Sequence, residues 1–152
     1  LAQISGKVPL LIEMKDQDGN LGSNVGKLEL KVAQALKTYV GDVAVMSFNP
    51  NSVAAFSEKN LNIPIGLVTD RFEAVDWPTV PHSTRLHLRG INDLDRIGAS
   101  FISHNHKYLS DLQNFIPQLL GLPILCWTIQ SSKSEKKARE IATNITFEGY
   151  LP

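Results

Sequence analysis

Residues 123–129, with the sequence PILCWTI, form the strongest strand signal in the chain, because branched and aromatic side chains dominate the run. Five similar runs begin at residues 9, 43, 64, 99 and 144, and amphipathic segments or turn residues separate them. The runs are nearly continuous in apolar residues instead of alternating with polar ones, which is typical of parallel strands covered on both faces. The sequence therefore predicts an α/β fold with a parallel sheet.

The spacing of these runs leaves two parallel architectures open. Strand starts recur about every 27 residues, so eight strand–helix units would need about 216 residues, whereas the chain has 152. The chain is therefore either an open doubly wound sheet or about six of the eight units of an incomplete (β/α)8 TIM-type barrel. Because no linker or internal repeat is visible, residues 1–152 are interpreted as a single domain.

Composition excludes several classes of protein. The 15 basic residues are balanced by 15 acidic ones, which argues against nucleic acid and against a polybasic membrane surface as partners. No apolar run approaches the roughly 18 residues of a transmembrane segment. The single cysteine, Cys126, rules out an internal disulfide framework. It is typical of a reducing compartment or of a mature chain that never needed disulfide bridges, and a cytoplasmic location is predicted.

Local signals predict how some of the helices begin and bend. Asn49, which a proline follows, is typical of an N-cap. Asn24 or Ser23 is predicted to cap the helix before it. A short helix is predicted near Leu86–Leu94, and a later helix is expected to kink at Pro117.

Polar side chains at the end of the first strand are the first candidates for a site. Glu13 and Lys15 are two residues apart, so they project to the same side of a strand, with Met14 on the other. A carboxylate can bind a divalent cation, and a neighbouring ammonium can bind a phosphate oxygen. Spacing alone favours a simple ion pair at a strand end over a ligand site.

Three further residues follow or end other strands. Trp127 could form one wall of a pocket and offer its indole N–H to a ligand, or it could be an ordinary core residue. His104 and His106, two residues apart, could share a metal ion such as zinc, or they could be exposed loop histidines. The sequence offers no Gly-rich phosphate loop, nucleophile elbow or paired-cysteine metal motif.

Four strand motifs, taken in order, resemble the glycerophosphodiester phosphodiesterase family. The resemblance covers essentially the whole chain and depends on the order and spacing of an Ile-Glu-x-Lys strand, a Ser-Phe pair and a Trp-Thr strand. The motifs are LLIEMK at 10–15, VAVMSF at 43–48, IGL at 65–67 and LPILCWTI at 122–129.

This resemblance implies a (β/α)8 barrel that hydrolyses glycerophosphodiesters to an alcohol and glycerol 3-phosphate with a divalent cation, Mg²⁺ or Ca²⁺. It implies metal binding at Glu13, phosphate contact at Lys15 and a substrate-cleft wall at Trp127. The expected partner is a small-molecule glycerophosphodiester, and the expected context is lipid and glycerol metabolism.

The chain also departs from the family pattern. The opening His-Arg-Gly motif, the Glu-x-Asp pair and the second histidine are absent, and they belong to the two units that the strand count does not find. We therefore assign no catalytic residue here and expect a truncated chain that is inactive by itself. Its open sheet edges are expected to favour self-association. The last strand departs as well, which leaves the role of Glu148 undefined.

Two other functions remain open from the sequence. One is a non-catalytic module in which Lys15 and Trp127 bind a phosphorylated ligand without turnover. The other is a zinc hydrolase that uses His104 and His106. Ligand binding that survives chelation would favour the first, and stoichiometric zinc would favour the second.

Overall fold

A computed structural model describes residues 1–115, 119 and 121–152, and it contains six strands in one sheet. The strands are β1 (Leu10–Glu13), β2 (Val43–Ser47), β3 (Ile65–Thr69), β4 (Phe101–Asn105), β5 (Ile124–Ile129) and β6 (Asn144–Phe147). The α-helices in the described ranges are α1 (Lys27–Leu36), α2 (Pro50–Ser57), α3 (His82–Arg89), α4 (Leu94–Ile97) and α5 (Ser132–Ala138), and a 3₁₀ segment spans His106–Phe115. None of the described helices is long and apolar enough to cross a bilayer.

The strands follow one another in the sheet in their chain order, β1 to β6, and every neighbouring pair is parallel. A doubly wound sheet would reverse its strand order at a switch point, whereas a barrel adds each strand beside the previous one. The sheet is therefore a curled half-barrel with helices, an incomplete TIM-type barrel, as predicted. Within the described residues, β1 pairs only with β2 and β6 only with β5.

The outer face of the sheet packs against the helices and forms the main apolar core. Each central strand contributes fully buried side chains to it, and the helices supply the opposing layer. The strand residues include Val45, Leu67, Ile102 and Cys126, and the helix residues include Ala33, Leu36, Val53, Phe56 and Ala138. Burial raises the pKa of the Cys126 thiol to about 11, so the thiol stays protonated.

The inner face carries a second, smaller apolar cluster. Met46, Val68 and Phe101 are buried there, and Trp127 packs against them while remaining half-buried. Gly66 lies opposite Phe101 in the parallel register, and a Cβ at residue 66 would fall well inside van der Waals distance of the Phe101 ring. Residue 66 must therefore be a glycine if the Phe101 ring is to pack over the sheet at this position.

The structure corrects two local predictions. In place of one helix near Leu86–Leu94, α3 begins directly after Pro81 and ends at Gly90, and the separate helix α4 follows. Neither Asn24 nor Ser23 caps α1; its N-cap is Gly26, whose N–H is bound by the Glu29 side chain at 2.5 Å. The predicted kink at Pro117 lies outside the described residues.

Replacing Gly66 with alanine should cost about 1–3 kcal/mol of unfolding free energy, because the new methyl group displaces the Phe101 ring from a packed layer. The double variant Gly66→Ala/Phe101→Leu should lose less than the sum of the two single variants, since the smaller side chain makes room. Urea unfolding of all four proteins measures the coupling. Strict additivity would contradict the proposed close contact.

Candidate functional site

Glu13 and Lys15 lie where β1 ends, at the edge that carries the carboxyl ends of all six strands. Lys15 Nζ is 2.8 Å from Glu13 Oε1, so the two side chains form an ion pair. The Lys15 side chain is 74% exposed and that of Glu13 is 22% exposed. Glu13 is opposite Met46 in the register, which places its side chain on the inner face of the sheet. The pair thus presents one accessible ammonium and one partly shielded carboxylate at the rim.

Ser47 fixes the backbone that leaves β1. Its hydroxyl donates to the carbonyl oxygen of Met14 at 2.8 Å and accepts from the N–H of Asn49 at 3.1 Å. Ser47 is fully buried, so both bonds are protected from water. The residue directly after Glu13 is therefore tied to the end of β2.

Asn49 holds the rest of the same loop. Its Nδ2 donates to Asp16 Oδ1 and to the carbonyl oxygen of Gly22, each at 2.8 Å. Its Oδ1 accepts from the N–H of Asn51 at 2.9 Å, which confirms the predicted N-cap of α2. One buried amide thus joins the β1–α1 loop to the start of α2, a second role that the cap signal did not reveal.

Asn49→Ala should lower the free energy of unfolding by about 2–4 kcal/mol, because it removes a cap and leaves buried partners of the amide unsatisfied. Chemical denaturation measures the loss. Gln34→Ala, an exposed change on α1, is the matched control and should stay within about 0.5 kcal/mol of the parent. Equal stability of the two variants would show that the loop does not depend on Asn49.

Trp127 lies on β5 with its ring on the inner face. Its indole N–H donates to the carbonyl oxygen of Ser103 at 3.0 Å. The ring meets Phe48 edge to face, with centroids 5.3 Å apart. The Trp127 ring can thus form the predicted wall of a pocket. Its indole N–H, considered above as a donor to a ligand, is instead bound to the Ser103 carbonyl oxygen.

Trp77 extends this aromatic surface from the loop after β3. Its ring centroid is 4.9 Å from that of Phe48, and its indole N–H donates to Asp70 Oδ2 at 2.9 Å. Asp70 is buried and also accepts from Asn105 Nδ2 at 3.1 Å. Sequence reasoning missed Trp77, because it lies in an irregular loop that shows no periodic pattern.

His104 lies within β4 rather than in a loop, and its side chain is buried. Its Nδ1 is hydrogen-bonded to Thr69 Oγ1 at 2.7 Å, and its Nε2 has no partner among the described residues. Burial lowers the pKa of His104 to about 4. His106 begins the 3₁₀ segment, and burial lowers its pKa as well. No third metal-ligating side chain joins the two in the described ranges, so nothing favours the zinc alternative.

The described residues also do not form a complete site for Mg²⁺ or Ca²⁺. They contain no group of three or more histidine, cysteine, aspartate or glutamate side chains arranged to hold a metal ion. Glu148, whose role the sequence left undefined, belongs to no such group among these residues. On the surface its carboxylate accepts a hydrogen bond from Gln130 Nε2 at 2.7 Å. Hard divalent cations take about six or more oxygen ligands. Glu13 by itself can therefore supply only part of such a coordination shell.

The His104 environment predicts a pH-dependent stability. Its pKa of about 4 lies below the ordinary 6.5, so the unfolded chain binds the proton more readily than the folded one. Stability is therefore lost as the pH falls from about 6.5 to 4, by about 3 kcal/mol from this group. Urea midpoints at pH 7 and pH 4.5 should show a smaller loss for His104→Gln than for the parent.

His82→Gln is the matched control for this comparison, since His82 is exposed at the start of α3. It should follow the pH dependence of the parent. If His104→Gln loses as much stability as the parent between the two pH values, the buried imidazole is not the group that responds.

Solved structures of similar fold include two phosphodiesterases. A glycerophosphodiester phosphodiesterase from Parabacteroides distasonis is 17% identical with a TM-score of 0.64, covering 91% of this chain and 52% of its own. A phosphodiesterase from Oleispira antarctica, in complex with the product sn-glycerol-3-phosphate, is 13% identical with a TM-score of 0.64, covering 96% of this chain and 53% of its own.

These likenesses confirm, at the level of the fold, the resemblance drawn from the strand motifs. The chain spans about half the length of the solved structures it matches. No family model matches the sequence, and no curated protein does.

Proposed function

We propose that the protein is a metal-dependent phosphodiesterase that hydrolyses glycerophosphodiesters to an alcohol and glycerol 3-phosphate, and that this chain supplies part of the substrate site. The observation that carries the proposal is the Glu13–Lys15 pair at the carboxyl edge of an incomplete TIM-type barrel. In this architecture reacting groups gather at that edge. The structural neighbours, which are phosphodiesterases, support the same reaction class.

Each candidate residue has a physical role in this proposal. The phosphodiester is an anion, and the exposed ammonium of Lys15 can bind one of its oxygens by a charge-assisted hydrogen bond. Glu13 would contribute a carboxylate oxygen to a divalent cation. Trp127 would line the cleft with its ring, since its N–H is bound to Ser103. No residue of this chain is assigned as the acid or base.

The divalent cation, Mg²⁺ or Ca²⁺, is proposed as a cofactor of the whole protein. Glu13 provides one carboxylate, and the described residues offer no metal-binding group around it. The remaining ligands would therefore have to come from elsewhere, and this chain alone is expected to be inactive. The single-domain organisation, the cytoplasmic location and self-association through the open edges of β1 and β6 remain predictions.

A non-catalytic module that binds a phosphorylated ligand is the second candidate. The observation that favours it is the same incomplete metal shell, beside an ammonium that is 74% exposed. Such a module would bind its ligand in the presence of EDTA. It would not hydrolyse the ligand, even once the barrel is complete. The enzyme proposal instead requires metal-dependent release of glycerol 3-phosphate once the barrel is complete.

Titration of sn-glycerol 3-phosphate in EDTA tests the phosphate role of Lys15. Lys15→Met should weaken binding roughly 10- to 100-fold, the range expected for a hydrogen bond to a charged group. Glu13→Gln should tighten binding in EDTA, because it removes a negative charge and releases Lys15 from its ion pair. Isothermal titration calorimetry measures both changes.

Lys37→Met, at the exposed C-terminal end of α1, is the control and should leave the affinity unchanged. If the pair were only structural, both site variants would alter stability by about 1 kcal/mol or less and leave ligand affinity alone. Release of glycerol 3-phosphate from glycerophosphoethanolamine by this chain alone would contradict the expected inactivity.

A further inference from the structure

The residues on either side of Lys15 are bound by the segment that ends β2. Ser47 and Asn49 are both fully buried. The Ser47 hydroxyl donates to the carbonyl oxygen of Met14, and Asn49 Nδ2 donates to Asp16 Oδ1, each at 2.8 Å. Met14 directly precedes Lys15 and Asp16 directly follows it. Ser47 and Asn49 are called the buried clamp below, because they bind the chain immediately before and immediately after the candidate phosphate-binding residue.

Met14 is held by its side chain and by its backbone. The side chain is buried in the main apolar core, and the N–H donates to the carbonyl oxygen of Met46 at 2.8 Å. The Ser47 hydroxyl satisfies the carbonyl oxygen of Met14 at the point where the pairing of β1 with β2 ends. A buried acceptor that loses its donor costs free energy, so this bond holds the chain up to the peptide bond that leads into Lys15.

The chain that follows Lys15 has little other support. Residues 17–20 are exposed and belong to no helix or strand. Exposed loops of this kind are mobile unless side chains fix them. Asp16 accepts from Asn49 through one carboxylate oxygen and from the N–H of Leu21, at 3.1 Å, through the other. The Asp16 carboxylate therefore ties this loop to the buried clamp one residue beyond Lys15.

The buried clamp leaves the side chain of Lys15 as its main source of conformational freedom. That side chain is 74% exposed, and its ammonium is bound to Glu13 Oε1. A binding group whose backbone is already fixed loses less entropy when a ligand immobilises it, and such preorganisation increases affinity. On a mobile loop, Lys15 would have to order several backbone dihedral angles as well as its flexible side chain when it binds an anion.

We propose that Ser47 and Asn49 are positioning residues for Lys15, and that they set the affinity of the site for a phosphate anion without touching the anion. This inference rests on the phosphate role proposed above for Lys15 and adds to it two residues that act through the backbone. Ser47 provides the cleaner test, because Asn49 also caps α2.

Calorimetric titration of sn-glycerol 3-phosphate in EDTA tests the role of Ser47. Ser47→Ala should weaken binding roughly 3- to 10-fold, the equivalent of one net hydrogen bond. Ser47→Thr retains the hydroxyl and should bind more tightly than Ser47→Ala. Ser52→Ala is the matched control, because Ser52 is also a buried serine but its hydroxyl donates to Glu29. It should lose stability and keep the affinity of the parent.

A double-mutant cycle separates positioning from a general loss of structure. In a Lys15→Met background the ammonium is absent, so adding Ser47→Ala should change the residual affinity by less than about twofold. An equal loss in both backgrounds would overturn the proposal, because Ser47 would then act independently of Lys15.

Asn49→Ser tests the other half of the buried clamp. Serine keeps an oxygen that can cap α2 but lacks the Nδ2 that binds Asp16. This variant should also weaken binding roughly 3- to 10-fold. The parent affinity in a folded Asn49→Ser protein would overturn the role of Asn49.

Amide hydrogen exchange of the chain without ligand measures the clamp directly. The Met14 N–H is bonded to Met46, and the Leu21 N–H is bonded to Asp16. Ser47→Ala should accelerate exchange at Met14, and Asn49→Ser at Leu21, each roughly 10-fold more than at amides of the central strands β3 and β4. Uniform acceleration along the chain would overturn the proposal, since the variants would then lower only global stability.

Failure of this inference and failure of the proposed function give different results. If the parent binds sn-glycerol 3-phosphate and Ser47→Ala binds it equally well, the inference is overturned and the phosphate role of Lys15 stands. If binding depends on Ser47 but the completed barrel releases no glycerol 3-phosphate, the inference is supported and the hydrolase is overturned. Absence of binding to the parent chain would overturn both the inference and the phosphate role of Lys15.

Discussion

The unbroken parallel order of the six strands is the constraint on which the candidate site depends. Because each strand lies beside its predecessor and points the same way, residues from distant parts of the chain meet at one edge. Glu13 from the first strand and Trp127 from the fifth thus both face the inner side. In a doubly wound sheet with the same strands, they would not share a concave surface.

Two buried polar side chains, Asn49 and Asp70, fix the conformations of the loops at this edge. Asn49 binds the loop after β1, and Asp70 binds both Trp77 in the loop after β3 and Asn105 at the end of β4. A buried amide or carboxylate is costly unless its hydrogen bonds are made, so each of these side chains favours only loop conformations that satisfy it. The orientation of the Trp77 ring follows from that requirement.

The sequence predicts all six strands of the described sheet but less of the site. Continuous apolar runs identify the strands, most clearly β3, whose five residues are all buried. The two-residue period correctly places Glu13 beside Lys15. Strand order is not encoded in local periodicity, which is why two architectures stayed open. Sequence reasoning misses Trp77 because its partners, Asp70 and Phe48, become its neighbours only through tertiary structure. Gly90 divides a helical pattern that periodicity alone would continue.

The strands differ in how completely they are buried, and this difference affects Glu13. All five residues of β3 are buried, whereas β1 and β6 have a strand neighbour on one side only within the described chain and contain exposed residues. Local opening therefore begins at the two margins and reaches the centre last. Glu13 sits at such a margin, so any strand that docks against β1 would stiffen the backbone beneath it and reduce the entropy lost when a ligand is bound.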